Sequence, residues 1–463
     1  MVLVGLLIGW TTRASTITQR QTSWGLRILG QGTISRAGDV NEDGLMDISI
    51  TKNARGWVVF GGSKPGTIDL NDLDESGFVI EGPAGTHLRA ESAGDVNADG
   101  YGDMIFGAPE LDREGSKDAG GAFVVFGGPT GRTIRLDDFL SGMHGDTGFV
   151  IRGGPDGFYV GMDVDGTGDV NQDGHDDLAV AAPWSGTVYV VFGKESGSEV
   201  DLGLFDLGVQ GPQGYSIETK IPVTTGDYSI SGVGDMNGDG RGDLVVGLST
   251  GLHTRGSVSV VLGKADSLPV DARKMGTWGF RIDGAQRNDT FGYDTDAAGD
   301  VNGDGLSDVV IGAPRLPARD GMGYAAIIFG KTDLQPVNAA QLGTNGYRLH
   351  GPKRGGAGYS VSGTGDVDGD GLSDVVIGAP KTGRGSLRFS GSVFVVLGKR
   401  TPRDLLLTDL RGHGYRIRGS HGDQYLGLPV AGLGDVNGDG AADVGADIVD
   451  RAFVFWDHPS LDY

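Results

Sequence analysis

Seven times along the chain, acidic and amide side chains recur in the order Gly-Asp-x-Asn/Asp-x-Asp-Gly-x-x-Asp. The first stretch offers Asp39, Asn41, Asp43, the Leu45 carbonyl and Asp47; the second offers Asp95, Asn97, Asp99, Tyr101 and Asp103. The third has Asp169, Asn171, Asp173, His175 and Asp177, and the fourth has Asp235, Asn237, Asp239, Arg241 and Asp243. Asp300, Asn302, Asp304, Leu306 and Asp308 make the fifth, and Asp366, Asp368, Asp370, Leu372 and Asp374 the sixth. Asp435, Asn437, Asp439, Ala441 and Asp443 close the series. Donors at positions one, three and five put three oxygens on one side of a tight loop. Glycine at position six permits positive φ, so position seven can offer its backbone carbonyl, and the aspartate at position nine completes a cage of hard oxygens. Such a cage suits Ca²⁺ better than a transition metal.

An EF-hand would need an acid at position twelve. Those positions here are Ile50, Phe106, Val180, Val246, Ile311, Ile377 and Ala446, all apolar, so the stretches read as calcium loops of β-hairpins. Each loop supplies three aspartates and the sixth a fourth, Asp368, giving 22 of the 61 acids. Seven bound Ca²⁺ would take the net charge from −23 to −9. Affinities of ~10⁻⁴–10⁻³ M would suit an extracellular module.

The elements that hold these loops recur with them. The first aspartates are 56, 74, 66, 65, 66 and 69 residues apart, and seven units of their mean span essentially all 463 residues. After each loop comes a short apolar run, often ending in Gly-Ala-Pro as at Met104–Pro109, Val309–Pro314 and Val375–Pro380. A β-branched run ending in Phe-Gly or Leu-Gly follows, then Gly-aromatic-x-Ile/Leu-x-Gly as at Gly77–Gly82. A short segment such as Tyr359–Gly363 precedes each loop. Runs of this length bounded by Gly, Pro and Asp read as strands, so each unit predicts four antiparallel strands. One such sheet cannot bury both faces, whereas radial stacking covers them and leaves few edges.

Two architectures compete: a seven-bladed β-propeller and a string of independent beads. The Gly-x-x-Ile-x-Gly strand occurs once before the first loop, at Gly25–Gly30, and never after the last, where the chain runs out past Phe453–Trp456. The N-terminal strand therefore completes the last blade and closes a ring. The expected blades are 31–82, 83–153, 154–219, 220–284, 285–351, 352–419, and 420–457 joined by 24–30, in one domain over 24–463. Residues 1–23 read as a flexible N-terminus or residual leader, since the apolar start Met1–Trp10 has no basic segment before it.

Composition agrees. Glycine is 87 of 463 residues, which disfavours long helices, and no G-X-Y period indicates collagen. The net charge of −23 repels nucleic acid and anionic membranes, and no apolar run is long enough to span a bilayer. The absence of cysteine excludes disulfides, thiolate zinc sites and cysteine nucleophiles.

With Phe-Gly, Gly-Ala-Pro and the inserted acidic loop in view, the chain resembles the FG-GAP-repeat propeller of integrin α subunits and its bacterial relatives, over about residues 24–456. In that family the loop joins the first and second strands of a blade and holds calcium on one face of the disc. The resemblance implies an integrin-like propeller alone, without leg domains or membrane segment. The first and last units depart from Gly-Ala-Pro, having Thr51-Lys52-Asn53 and Asp447-Ile448-Val449.

Other motifs read as structural. Arg241-Gly242-Asp243 looks like an adhesion tripeptide, yet Asp243 is position nine of the fourth loop. Gly247–Gly251 matches a nucleophile elbow but stands where other units carry Gly-Ala-Pro before a strand. Gly330-Lys331-Thr332 lacks the first glycine of a phosphate loop. The eight histidines have no zinc spacing, and Tyr228, Tyr293 and Tyr359, each seven residues before a loop aspartate, read as packing between blades.

The expected function is a calcium-stabilised, monomeric, non-enzymatic propeller, extracellular, on the cell surface or periplasmic, that binds a protein or glycan as an adhesion or interaction module. The alternative is the propeller of a secreted carbohydrate-active or lipid-cleaving enzyme. Connections after Gly-Ala-Pro and after the outer strand emerge opposite the calcium loops and vary most between units. Trp184 and residues 110–121, 315–322 and 381–391 are the expected partner surface.

Overall fold

Every acidic loop turns a hairpin between an inner strand and the second strand of a blade. The computed structural model describes residues 16–17, 25–64, 66–113, 115–129, 133–143, 145–154, 158–206, 213–220, 228–249, 255–315, 321–448 and 451–456. The inner strands are Thr33–Gly38, Arg89–Gly94, Val164–Gly168, Tyr228–Gly234, Thr295–Gly299, Val361–Gly365 and Val430–Gly434. Blade 6 shows the pattern: the inner strand pairs with Asp374–Gly378, then Ser392–Val396, then the outer Gly414–Arg418, all antiparallel. Glycine opens the outer strand because a Cβ at Gly148 would lie 1.9 Å from the Val124 carbonyl oxygen of the strand beside it.

Seven such sheets are arranged as the blades of a propeller. The buried apolar residues form seven clusters, each shared by two neighbouring blades, so each sheet face is buried only by its neighbour. Leu26, Ile34, Val436 and Trp456, for example, join the last blade to the first. Ring closure is as the sequence predicts: Gly25–Leu29 pairs antiparallel with Arg451–Phe455 as the outer strand of blade 7.

The repeat reads as four strands per blade, but each sheet carries a fifth. A short segment in the connection between third and outer strands lies parallel to the outer strand of the preceding blade. Leu405–Leu406 of blade 6 pairs in this way with Leu349–His350 of blade 5, and Gly66–Asp69 of blade 1 with Leu26–Leu29 of blade 7. Apart from Leu405-Leu406-Leu407, these straps have an apolar-polar-apolar signature, such as Val270-Asp271-Ala272 and Val337-Asn338-Ala339, too short to be recognised by periodicity. Thr16–Ile17 takes the equivalent place against Arg416–Ile417 of blade 6. The rest of the stretch read as a flexible N-terminus or leader, 1–15 and 18–23, lies outside the described residues.

A second repeated device clamps the blades. Lysine follows Phe-Gly or Leu-Gly at 194, 264, 331 and 399. Each ammonium lies over an aromatic ring of the preceding blade's outer strand: Phe149 (4.3 Å), Tyr215 (4.2 Å), Phe280 (4.5 Å) and Tyr347 (3.6 Å). Such pairs attract through the ring quadrupole, more strongly when shielded from water.

Candidate metal loops

Inside each loop the carboxylates take up the loop's own amides. Asp39 Oδ2 accepts from the Gly44 amide at 2.9 Å, and the same bond from position six to position one recurs in all seven loops. The position-five carboxylate likewise accepts the amide of position seven throughout. Positive φ occurs at position six, as at Gly44 (85°), and also at position four, where Glu42 (58°), Ala98 (59°) and Gln172 (63°) adopt it without glycine. This second left-handed residue brings the donors of positions three and five to one side.

Position nine is a different kind of aspartate. Asp47, Asp103, Asp177, Asp243, Asp308 and Asp374 are wholly buried, and Asp443 nearly so. In each, Oδ2 accepts the amide of position two, as from Val40 at 2.9 Å. In six of them Oδ1 accepts the glycine amide that ends the third strand, as from Gly61 at 2.8 Å. Burial pushes Asp47 up to about 7; the two amide bonds oppose this, and the Asp43 and Asp39 charges add to it. The same balance raises Asp177 to about 8 and Asp374 to about 7. A buried carboxyl beside two or three others is a donor set that a divalent cation fits, since it supplies the missing positive charge. In blade 6 the oxygens of Asp366, Asp368 and Asp374 lie within 4.8 Å of one another.

The loops are also tied to each other, which no motif announced. The position-eight amide of each loop donates to the first-aspartate carbonyl of the preceding blade: Gly102 to Asp39, Asp176 to Asp95, Gly242 to Asp169, Ser307 to Asp235, Ser373 to Asp300, Ala442 to Asp366 and Met46 to Asp435. The last of these carries the belt across the closure, so the seven loops share one circular chain of backbone hydrogen bonds.

A second belt lines the central channel. Inner strands expose amides along one edge, and side chains of the preceding blade accept them: Asp163 from Ile230 (2.9 Å), Asp165 from Gly232 (3.0 Å), Asp294 from Val361 (2.8 Å) and Ser360 from Val430 (3.1 Å). Arg36, Glu91, Asp163, Asp165, Asp294 and Asp296 face a cavity of about 160 Å³. Burial holds Asp163 near 6 and Asp294 near 7, and pushes Glu91 and Asp165 well above the ordinary carboxylate range, with the Arg36 guanidinium opposing.

The remaining sequence motifs fall where packing needs them. Asp243 of the Arg-Gly-Asp tripeptide is buried, and Arg241 Nη1 donates to the Val170 carbonyl of the preceding loop at 3.2 Å. Ser249 is 2% exposed; Thr250 and Gly251 of the elbow-like stretch lie outside the described residues. The Gly330 amide is held by Asp308. The His175 ring nitrogen meets the Val96 carbonyl at 3.1 Å. Tyr228 is buried, while Tyr293 and Tyr359 meet edge to face at 5.2 Å. On the opposite rim Trp184 is 38% exposed and packs 4.5 Å from Tyr159; residues 316–320 of that expected surface lie outside the described residues.

Fold and loops together define a seven-bladed repeat propeller with an acidic loop in every blade. The FG-GAP repeat model matches residues 160–191, 291–326 and 357–396. Integrin alpha pat-2 of Caenorhabditis briggsae is 26% identical over 324 residues, 69% of this chain and 20% of that protein. Integrin alpha-5 of Xenopus laevis is 30% identical over 241 residues, 50% of this chain and 21% of its own length. Integrin alpha-PS2 of Drosophila melanogaster is 28% identical over 266 residues, 54% of this chain and 17% of that protein. The propeller carries FG-GAP repeats and is similar to integrin α chains. The match spans about a fifth of the length of these relatives. Among the described residues no helix is long and apolar enough to cross a membrane.

Proposed function

We infer that the protein is a calcium-stabilised interaction module of the extracellular space or cell surface, without catalytic activity of its own, that binds a protein or glycan. In each loop the side chains at positions one, three, five and nine and the carbonyl of position seven, from Asp39–Asp47 to Asp435–Asp443, would hold Ca²⁺. Calcium supplies charge neutralisation there. The observation that carries the reading is the belt of loops. Seven clusters of carboxylates are fastened to one another on one rim, so emptying them sets like charges against the closure of the ring. The opposite rim, free of that duty, carries the connections that differ from blade to blade, and Trp184 stands exposed on it.

The test has two arms. Melting the full chain in calcium and in excess chelator should give a markedly lower midpoint without calcium; an unchanged melt refutes the calcium role. Affinity capture from the native extracellular milieu, with wild type and Trp184→Ala, should show calcium-dependent retention that the variant weakens without a change in melting. Loss of retention only from substitutions on the loop rim would place the partner on the other side.

A further inference from the structure

Residues 348–418 hold twelve of the chain's 38 Lys and Arg but only six of its 61 Asp and Glu, and four of those six are loop carboxylates. Blade 6 and its flanking connections are therefore a basic sector in a chain of net charge −23. The topology sorts this charge by rim. The acids at 366–374 lie in the loop on one rim. Lys353 and Arg354 lie in the connection entering blade 6, Lys381, Arg384 and Arg388 between its second and third strands, and Arg418 at the end of its outer strand, all at the opposite rim.

Backbone bonds hold these segments side by side. The Lys381 amide donates to Gly355 O at 3.1 Å, Asp423 N to Arg388 O at 2.8 Å, and Tyr425 N to Phe389 O at 2.9 Å. Lys353, Arg354, Arg384, Arg388 and Arg418 are exposed, and Lys381 is half-buried with its ammonium 4.6 Å above the Tyr359 ring. None of the six makes an ion pair among the described residues, and Asp423 is the one acid on the described segments 352–360, 379–391 and 418–427. The Arg388 guanidinium lies 4.5 Å over Phe389, which stacks in turn on Tyr425 at 5.4 Å and 23°. A guanidinium seated over a ring presents a fork of donors that matches sulfate or carboxylate oxygens two at a time.

We propose that this rim of blade 6 is a docking surface for an acidic polysaccharide, one whose sugar rings carry sulfate or uronate groups. The proposal rests on the reading of the opposite rim as the recognition face and names its ligand and sector. Protein partners favour a desolvated centre of apolar and aromatic anchors, depleted of lysine. Here only two large apolar side chains, Leu387 and, at the patch margin, Leu428, are exposed among the described residues, and the Phe389 ring is covered by Arg388 and Tyr425. A polyanionic glycan requires no apolar anchor and brings negative charge at regular intervals. The acidic remainder of the molecule does not forbid this, because charges further than about 8 Å are screened at physiological salt.

The experiment measures binding of a heparin-derived octasaccharide to the calcium-loaded full chain by calorimetry, with neutral dextran and polyglutamate as comparators. Wild type should bind the octasaccharide, with affinity that falls as salt rises. The variant Arg354→Gln/Arg384→Gln/Arg388→Gln should lose about tenfold or more in affinity, since three charge-assisted contacts are removed, with an unchanged melting temperature. The control Arg273→Gln/Lys274→Gln on blade 4 should bind as wild type does. No binding above dextran, or undiminished binding by the triple variant, overturns the proposal. Polyglutamate bound as tightly as the octasaccharide would also overturn it, in favour of an acidic protein. Each of these results leaves the opposite-rim reading standing if a captured partner still depends on Trp184.

Discussion

Asp447 Oδ2 accepts a hydrogen bond from the Ile34 amide at 3.1 Å, across 413 residues of chain. Elsewhere in the channel this bond comes from the residue six before the loop aspartate, as with Asp163, Asp294 and Ser360. Blade 7 has Pro429 at that place, and Asp447 on the neighbouring strand stands in for the lost acceptor. Its other oxygen has no partner among the described residues, and burial raises its pKa well above the carboxylate norm. Asp447→Asn keeps an acceptor without the buried charge and should melt at or above wild type. Asp447→Ala leaves a buried amide unsatisfied and should cost about 1–3 kcal/mol in denaturant unfolding.

Ring closure has a direct test by truncation. Deleting residues 1–30 removes the outer strand of blade 7 and exposes its edge, so the product should aggregate or lose its cooperative melt. Deleting residues 1–20 spares that strand and should leave a folded monomer. Hydrogen exchange should then accelerate at Arg416–Ile417, where Thr16–Ile17 is paired.

Two aspartates of one loop should respond differently to calcium. Both oxygens of Asp374 accept backbone amides, from Val367 (2.8 Å) and Gly398 (2.7 Å). Asp374→Ala should therefore destabilise by about 2–5 kcal/mol in chelator, from two orphaned amides, and by more in calcium, where a ligand is lost as well. Asp370 is exposed and holds the Leu372 amide, so Asp370→Ala should be nearly silent in chelator and lower the melt only in calcium. Paired melts of the two variants read this directly.

The channel carboxylates predict a pH dependence. Folding raises Asp163 to about 6 and Asp294 to about 7, against an ordinary value near 3.9 in the unfolded chain. An acid whose pKa rises on folding contributes most below the unfolded value and loses that contribution as pH climbs through the folded one. The melting temperature should thus fall between about pH 4 and pH 7. Asp163→Asn/Asp294→Asn retains the acceptors for Ile230 and Val361 and should flatten the fall. A double variant with the wild-type slope would show that these groups are not its source.

The lysine clamps give a further measurement. Lys399 is buried, and its ammonium meets the Arg403 carbonyl as well as the Tyr347 ring. Lys399→Met keeps most of the stem but loses the charge, and should cost about 1–2 kcal/mol. The exposed Lys353→Met should cost nothing measurable by the same unfolding assay.

What could be read from the residues was whatever recurs within one unit. Asp39–Asp47 and its six repeats announced the loops, and the unpaired Gly25–Gly30 announced the closure. Contacts between units were much harder to see. The amide of Met46 finds Asp435 only because the ring brings blades 1 and 7 together, and its residue type varies from blade to blade as Gly, Asp, Ser or Ala. The channel acceptors alternate between Asp and Ser for the same reason: any short oxygen-bearing side chain can satisfy the amide. The straps are two to four residues long, below the length at which alternation is informative. Position four of the loop carries no such signal in three blades, because Glu42, Ala98 and Gln172 are not residues that favour positive φ.

The register of the closing pair also determines how the ring would carry load. Gly25 faces Phe455 and Leu29 faces Arg451, so the two pulled ends of this pair are neighbours. Tension applied through both chain ends would open the five pairs one after another, like a zipper, instead of shearing them together. Tethered by one end only, the propeller would pass force around its closure and keep the ring intact; stretched between two anchors, the short Thr16–Ile17 pairing on blade 6 would go first and blade 7 would open next.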